Sequence, residues 1–427
     1  MARVLVAQRQ RELGLLASFV LAWFAGCSPA APHCEAGACP DGYTCEAGTG
    51  LCKPADAAVG QTPRFFGRFA LVAPSVGHAL AVGYWPERQS LAAFDGKATS
   101  FVAGPAAAAA DPPMGRDVAA AVAGDGTVHL AWIRPGDESL QTARSSSIGW
   151  KVAAVDAKAL GAVVAPVAIA VTEDRPIVAV RRASTGLPVV VERQPDGAWS
   201  VDAVPLPPGP RKGTAAPAQF GRSFSLVALS GGVALTLYDA TYGDLVLSVR
   251  NGDAWGSQRI AGVDLSSGQD DGDAGDPNAL ALASDGALVA AWRDASRGEI
   301  RLARIAGAKV QAQTVVSNIA PGPAGTASPQ WVGTALTMAL RPDGRAAVAW
   351  FNGSSWRAGL LLQRQTGAFA PPSQKLALDA GSGLQLWPSL AIDPDGGVHI
   401  AWIEVGRSRA LSSARLMTAT VGPGLWP

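Results

Sequence analysis

Hydrophobic and polar residues alternate along most of this chain in short runs that are separated by tight-turn sequences. The clearest run is V-A-A-A-V-A-G-D-G-T-V-H-L-A-W (residues 118–132), which returns near the C-terminus as S-L-A-I-D-P-D-G-G-V-H-I-A-W (residues 389–402). Each stretch is typical of two strands joined by a two-residue Asp-Gly turn, with tryptophan at the end of the second strand. The pattern therefore predicts β-hairpins.

The hairpin recurs about every 50 residues. Its tryptophan position is filled by Tyr84, Trp132, Val180, Leu237, Trp292, Trp350 and Trp402. Five copies keep a glycine-containing turn of the Asp-Gly or Gly-Gly type, whereas the third copy, Glu173-Asp174-Arg175-Pro176, has none and is the weakest match. A third and a fourth strand follow most hairpins, separated by a second tight turn such as residues 252–255.

Four short antiparallel strands in each of seven units predict an all-β fold, a seven-bladed β-propeller over residues 65–427. Residues 418–421 are expected to supply the last outer strand, completed by residues near Phe65. The competing architecture is a pair of β-sandwiches, which predicts no sevenfold register.

The repeat unit, S-L-A-x-D-x-x-G-x-x-H-x-A-W, resembles the units of sialidase-like and BNR-type propellers over residues 65–425. That resemblance implies the fold but not the chemistry. Residues 62–69, T-P-R-F-F-G-R-F, differ from the F-R-I-P signature of true sialidases, and no tyrosine stands late in the chain. A retained sialidase mechanism is not expected. His129 and His399 occupy one repeat position, so each is interpreted as a packed strand residue that bonds a neighbouring blade.

Residues 1–26 have the layout of an export signal, with early arginines followed by a short apolar stretch. The stretch ends F-A-G-C, which resembles the lipobox of bacterial lipoproteins and implies lipidation of Cys27. By resemblance to the sorting rules of Gram-negative lipoproteins, the uncharged Ser28 implies an outer-membrane anchor that faces the periplasm or the cell surface. The alternative is plain secretion after cleavage nearby.

Four further cysteines lie within nineteen residues of one another and predict a two-disulfide module over residues 27–52: Cys34, Cys39, Cys45 and Cys52. A segment this short cannot fold by burial alone in an exported protein. Three connectivities remain open, and a zinc knuckle is the alternative. The spacing resembles EGF-like and Dickkopf-like modules, and residues 53–64 are typical of a linker.

The chain carries 35 basic and 34 acidic residues, which argues against a nucleic-acid partner. In a propeller, the long inter-blade loops and the loops between second and third strands share one face, where we expect any ligand to bind. The candidate residues on that face are Arg68, Arg116, Arg134, Arg222, Asp276, Arg293, Arg297, Glu404 and Arg407.

The acidic loop of residues 269–278 is a weak candidate for calcium through Asp271, Asp273 and Asp276, out of register with an EF-hand loop. No cofactor and no catalytic constellation are expected. The sequence favours a lipid-anchored, monomeric, non-enzymatic module that binds a protein or glycan ligand or acts as a scaffold. The alternative is a lectin or a glycoside-active enzyme on a sialidase-like propeller.

Overall fold

The computed structural model describes residues 43–45, 52–54, 65, 69–85, 90–103, 118–134, 137–147, 149–207, 220–262, 272–307, 309–317, 332–352, 357–371, 384–405 and 414–426. The chain divides into two units, Met1–Lys53 and Pro54–Pro427. Strands β1 (Tyr43–Cys45) and β2 (Cys52–Pro54) pair in a two-stranded sheet. The predicted signal, Cys27, Cys34 and Cys39 lie outside the described residues. The disulfide module and the lipid therefore stay predictions. No helix in the described part is long and apolar enough to cross a membrane.

Seven antiparallel sheets follow one another along the rest of the chain, and we number them blades 1 to 7. The strands of blades 1 to 3 are β3 (Ala70–Ser75), β4 (His78–Trp85), β5 (Ser90–Phe94), β6 (Thr99–Ala103), β7 (Val118–Val122), β8 (Val128–Arg134), β9 (Ser139–Ser146), β10 (Gly149–Ala154), β11 (Val163–Thr172), β12 (Arg175–Arg182), β13 (Pro188–Arg193) and β14 (Trp199–Ala203).

The strands of blades 4 to 7 are β15 (Phe220–Leu229), β16 (Gly232–Asp239), β17 (Asp244–Asn251), β18 (Ala254–Ala261), β19 (Ala274–Leu282), β20 (Leu288–Asp294), β21 (Glu299–Ala306), β22 (Lys309–Ser317), β23 (Val332–Leu340), β24 (Ala346–Asn352), β25 (Arg357–Gln363), β26 (Phe369–Ala370), β27 (Leu384–Ile392), β28 (Val398–Val405) and β29 (Arg415–Val421). A short 3₁₀ turn, Pro423–Leu425, follows β29.

The first strands of successive blades contact each other around a closed ring, and β27 of blade 7 contacts β3 of blade 1. The predicted seven-bladed propeller is therefore confirmed, and a pair of sandwiches is excluded. The tryptophan position is buried in blades 2 to 7, with Trp292 and Trp402 among the largest fully buried side chains.

The core lies between the blades rather than within them. The described hydrophobic residues form seven clusters, and each draws on two adjacent blades. Because side chains alternate between the two sides of a strand, one strand serves two clusters. In β12, Ile177 and Ala179 face blade 4, while Val178 and Val180 face blade 2.

Blades 7 and 1 close the ring by packing. Phe65 and Phe69 have their ring centroids 6.0 Å apart and join a cluster with Ile403 of blade 7. Leu71 donates its backbone N–H to Ser389 Oγ at 3.1 Å. Blades 4 and 5 use the same bond, since Leu280 N donates to Ser225 Oγ at 2.8 Å. The closing seam therefore repeats an interaction found elsewhere in the ring.

Blade 7 has three described strands, and the outermost, β29, contains the predicted residues 418–421. Phe65 contributes side-chain packing rather than strand pairing in the described sheet. The chain then turns back and buries Trp426 against blades 6 and 7. Trp426 Nε1 donates to the carbonyl of Gly396 at 3.1 Å. The guanidinium carbons of Arg341 and Arg345 lie 4.8 and 5.1 Å from its ring.

We expect Trp426→Ala to lower the free energy of unfolding by about 3 kcal/mol, because it removes a buried aromatic side chain and leaves a void. Equilibrium urea unfolding measures the change. The control is Leu425→Ala, whose side chain is 41% exposed and should change stability by less than about 0.5 kcal/mol. Equal effects of the two substitutions would contradict the assignment of Trp426 to the core.

Candidate functional site

The turns between first and second strands lie at one end of each blade, together with the turns between third and fourth strands in the six blades that have four described strands. We name this end the short-turn face. The opposite end carries the inter-blade connections and is named the long-loop face. The sequence placed the ligand on the long-loop face. Of its candidates, Arg68, Arg116 and Arg407 lie outside the described residues, and Arg222 lies in β15.

The other candidates on the long-loop face do not form one cluster. Arg134 pairs with Asp137 in its own loop, with Nε 3.1 Å from Oδ1. Arg297 pairs in the same way with Asp294, with Nη1 2.8 Å from Oδ2. Arg293 is half-buried in β20 of blade 5, and Glu404 lies opposite Arg415 in blade 7. Two of these four charges are therefore paired within their own blades, and the four are distributed over blades 2, 5 and 7.

The candidates Arg222 and Asp276 each follow a glycine in the sequence, and both lie in a β-bulge that recurs around the ring. In five blades the first strand carries a register shift near the long-loop face. Gly221-Arg222 and Gly275-Asp276 lie within two of these shifts. Arg181 Nε donates to the bulge carbonyl of Ala165 at 2.7 Å, and burial lowers the pKa of Arg181. A bulge redirects side chains locally, which gives these pairs a structural role.

The calcium candidate places two of its three carboxylates in the described residues. Asp273 accepts a hydrogen bond from Tyr238 Oη at 2.8 Å. Burial, and then Asp273, raise the pKa of Tyr238, which keeps the phenol as a donor. Asp271 lies outside the described residues. Within the described part, no three His, Cys, Asp or Glu side chains are grouped to hold a metal ion.

The larger of the two cavities described here, about 460 Å³, lies on the short-turn face between blades 3 and 4. Its lining residues are Thr172, Glu173, Arg175, Glu192, Gln194, Ser200, Asp202, Leu229, Gly231, Gly232, Arg250, Gly252 and Asp253. A cavity of about 110 Å³ lies on the same face between blades 7 and 1, beside His399. The first has the size of a small-molecule site. Loop length, the feature that pointed to the long-loop face, does not indicate this cavity, because short turns form its rim.

Two successive glycines border the cavity at the first turn of blade 4, where Ser230 and Gly231 form the turn and Gly232 begins β16. A Cβ added at Gly231 would meet nothing within 4 Å, whereas a Cβ added at Gly232 would collide with the carbonyl oxygen of Arg250. At the seam between blades 2 and 3 the space on the same face is filled by His129, Arg144 and Asp174. The Gly231-Gly232 pair was the available sequence signal for a gap between blades.

Arg250 joins the two walls of the cavity. It extends from β17 of blade 4 and forms ion pairs with Glu192 of β13 and Asp202 of β14, both in blade 3. Burial opposes its charge, but the two carboxylates outweigh burial and raise the pKa of Arg250. Its guanidinium carbon lies 5.9 Å from the ring centre of Trp255. Arg250 therefore stays charged and holds both carboxylates.

The first turn of blade 3 forms the rim of the cavity and is strained. Glu173 and Asp174 adopt left-handed φ angles of 46° and 63°, which non-glycine residues rarely do. Glu173 lines the cavity and pairs with Arg175 at 2.9 Å. Asp174 reaches back to blade 2, where it accepts from His129 Nε2 at 2.9 Å and from Arg144 Nη2 at 2.7 Å. These bonds to blade 2 stabilise a turn that lacks glycine.

The sequence predicted that both repeated histidines bond a neighbouring blade, and one of them does so directly. His129 bonds Asp174 of the next blade, as expected. His399 instead bonds Asp393 of its own blade, with Nε2 3.1 Å from Oδ2. Asp393 in turn accepts the backbone N–H of Gly77 in blade 1 at 2.9 Å. The inter-blade contact at His399 therefore runs through Asp393.

No protein-family model matches the chain, and no curated protein does. Solved structures show the fold alone. An ulvan lyase, a polysaccharide lyase, is 11% identical with a TM-score of 0.51 and covers 86% of this chain and 95% of its own. A puromycin hydrolase is 15% identical with a TM-score of 0.49, and the match covers 87% of this chain and 58% of the hydrolase. A lectin of Aleuria aurantia is 11% identical with a TM-score of 0.46, and the match covers 73% of this chain and 96% of the lectin.

Burial lowers the pKa of His129, although Asp174 acts in the opposite direction. The free energy of unfolding therefore includes the full contribution of neutral His129 above the ordinary histidine pKa of about 6.5. That contribution is lost as the pH falls below this value. We expect His129→Gln to flatten the loss of unfolding free energy between about pH 7.5 and 5.5. Urea unfolding at both pH values measures it.

The control is His78→Gln, because the His78 side chain is 47% exposed. This variant should keep the pH dependence of the wild-type protein. If His129→Gln keeps it too, the buried imidazole is not its source.

Proposed function

We propose that this protein is a lipid-anchored, non-enzymatic binding module of a bacterial outer membrane, and that its ligand occupies the cavity between blades 3 and 4. The observation that carries the proposal is a preformed concave site of about 460 Å³ whose polar walls come from two blades. Such a site needs no ordering of loops before binding, which lowers the cost of association.

The absence of enzymatic chemistry is supported by how the described acidic side chains are held. Arg250 binds both Glu192 and Asp202. Arg259 binds Asp239 at 2.9 Å and also pairs with Asp244, and all three are nearly buried. General acid catalysis needs a carboxyl group that can hold a proton near neutral pH. Each of these carboxylates instead holds an ion pair with a guanidinium.

A glycoside-active enzyme is the second candidate, and one observation favours it. Glu192 and Asp202 are two carboxylates in one cavity, and a pair of carboxylates is the usual catalytic equipment of glycoside hydrolases. The shared guanidinium argues against a division into acid and base, so binding without turnover is the preferred function.

Incubation of the purified protein with neutral and anionic polysaccharides tests this choice. We expect no new reducing ends and no unsaturated products. Turnover by the wild-type protein would instead support the glycoside-active enzyme, provided that two further results hold. Glu192→Gln should then lower the turnover by about a hundredfold or more, and Glu299→Gln should leave it unchanged. Glu299 is a matched control in blade 5 that accepts from Thr314 Oγ1 at 3.1 Å.

The anchor rests on the F-A-G-C sequence that ends at Cys27. We expect Cys27→Ala to move the protein from the membrane fraction to the soluble fraction, because a thioether-linked lipid is then impossible. Cell fractionation with labelling by a fatty-acid analogue measures both effects. Ser28→Ala is the control and should remain in the membrane. A Cys27→Ala variant that still fractionates with the membrane would disprove the anchor.

A further inference from the structure

We infer that the cavity between blades 3 and 4 accepts a neutral, hydroxyl-rich ligand of the kind presented by an uncharged sugar residue. The inference rests on the proposed binding function and adds the chemical class of its ligand. It follows from the hydrogen-bonding groups, the charge and the shape of the cavity.

The walls offer oxygen acceptors in a small space. Glu192 and Asp202 use Oε2 and Oδ2 towards Arg250, and their second oxygens accept no hydrogen bond from the described residues. Gln194 donates from Nε2 to Ser200 Oγ at 2.7 Å, which leaves its carbonyl oxygen as an acceptor. Hydroxyl groups are donors that match such oxygens.

The same site also contains a donor. Arg250 has five N–H groups, and its side chain is only 10% exposed. Arg250 lines the cavity, so the exposed part of its guanidinium can donate to a bound ligand. A hydroxyl donates and accepts at once, so one type of ligand group can satisfy both the carboxylates and the guanidinium.

The charge of the lining disfavours anions. Four carboxylates, from Glu173, Glu192, Asp202 and Asp253, face two guanidinium groups, from Arg175 and Arg250. The balance is four negative against two positive charges, a net of minus two. Uronate, sulfate and phosphate groups would meet repulsion there.

Cations are disfavoured for a different reason. A cationic ligand that displaced Arg250 from Glu192 and Asp202 would leave a buried guanidinium without an ion pair, which is strongly unfavourable. A neutral ligand can bond to the second carboxylate oxygens while both ion pairs stay intact. The network therefore selects for hydroxyl groups over ammonium groups.

The shape of the cavity fits a compact polar ring. Glycines at 231, 232 and 252 form part of the wall, and a Cβ at Gly231 or Gly252 would meet nothing within 4 Å. None of the described residues that line the cavity is aromatic. Recognition would thus depend on hydrogen bonds rather than on stacking.

The test is a titration of the purified full-length protein with methyl glycosides of neutral hexoses, deoxyhexoses and N-acetylhexosamines, followed by ligand-observed NMR. Matched uronates, sulfated sugars and amino sugars are titrated in parallel. We expect the neutral glycosides to bind and the charged counterparts to bind at least about tenfold more weakly. A preference for uronates, sulfated sugars or amino sugars would overturn the ligand class.

Three variants locate the binding. Asp202→Asn should weaken the neutral ligand by about tenfold, because it replaces a charged acceptor. Ser200→Tyr should abolish binding by filling the cavity. Gln194→Ala removes an amide without adding volume, so it tests the site if Ser200→Tyr does not fold. Asp285→Asn is the matched control, because Asp285 pairs with Arg304 outside the cavity. This variant should bind the neutral ligand as tightly as the wild-type protein.

The outcomes separate this inference from the proposed function. Neutral glycosides that bind equally well to Ser200→Tyr and Gln194→Ala would overturn the cavity assignment but leave a binding module. A complete lack of binding by every glycoside would overturn the ligand class. Catalytic turnover, which the polysaccharide assay detects independently, would overturn the proposed function.

Discussion

Closure of the ring is the constraint on which this structure depends. Every blade contributes hydrophobic residues to clusters on both of its sides, so a blade without two neighbours would expose half of its core. The last seam closes without strand exchange between the described first and last sheets. Phe65 and Phe69 from before blade 1 pack with Ile403, and Leu71 N bonds Ser389 Oγ. Trp426 then covers the seam between blades 6 and 7.

Differences between the seams give the ring its candidate site. At two seams of the short-turn face, side chains fill the gap: Asp174 against His129, and Arg341 and Arg345 over Trp426. Beside the first turn of blade 4 stand Gly231 and Gly232 instead, and the gap remains. Arg250 spans it to Glu192 and Asp202, so one ion-pair network both joins blades 3 and 4 and forms the polar wall of the cavity.

The fold could be predicted from the sequence because its signals are local. A two-residue turn is encoded by a few neighbouring residues. The same holds for the buried position at the end of each second strand, which is filled by Trp292 and Trp402 in two blades. The site could not, because Arg250 and Glu192 lie 58 residues apart and meet only when the ring forms. Loop length pointed to the long-loop face, where Arg134 and Arg297 instead pair within their own loops.

The most direct test of this account is a crystal structure of the protein soaked with the neutral glycoside that binds best in solution. The account predicts ordered ligand density between blades 3 and 4, with ligand hydroxyls within hydrogen-bond distance of Glu192 and Asp202 and with both ion pairs to Arg250 intact. Ligand density on the long-loop face, with an empty cavity between blades 3 and 4, would contradict it.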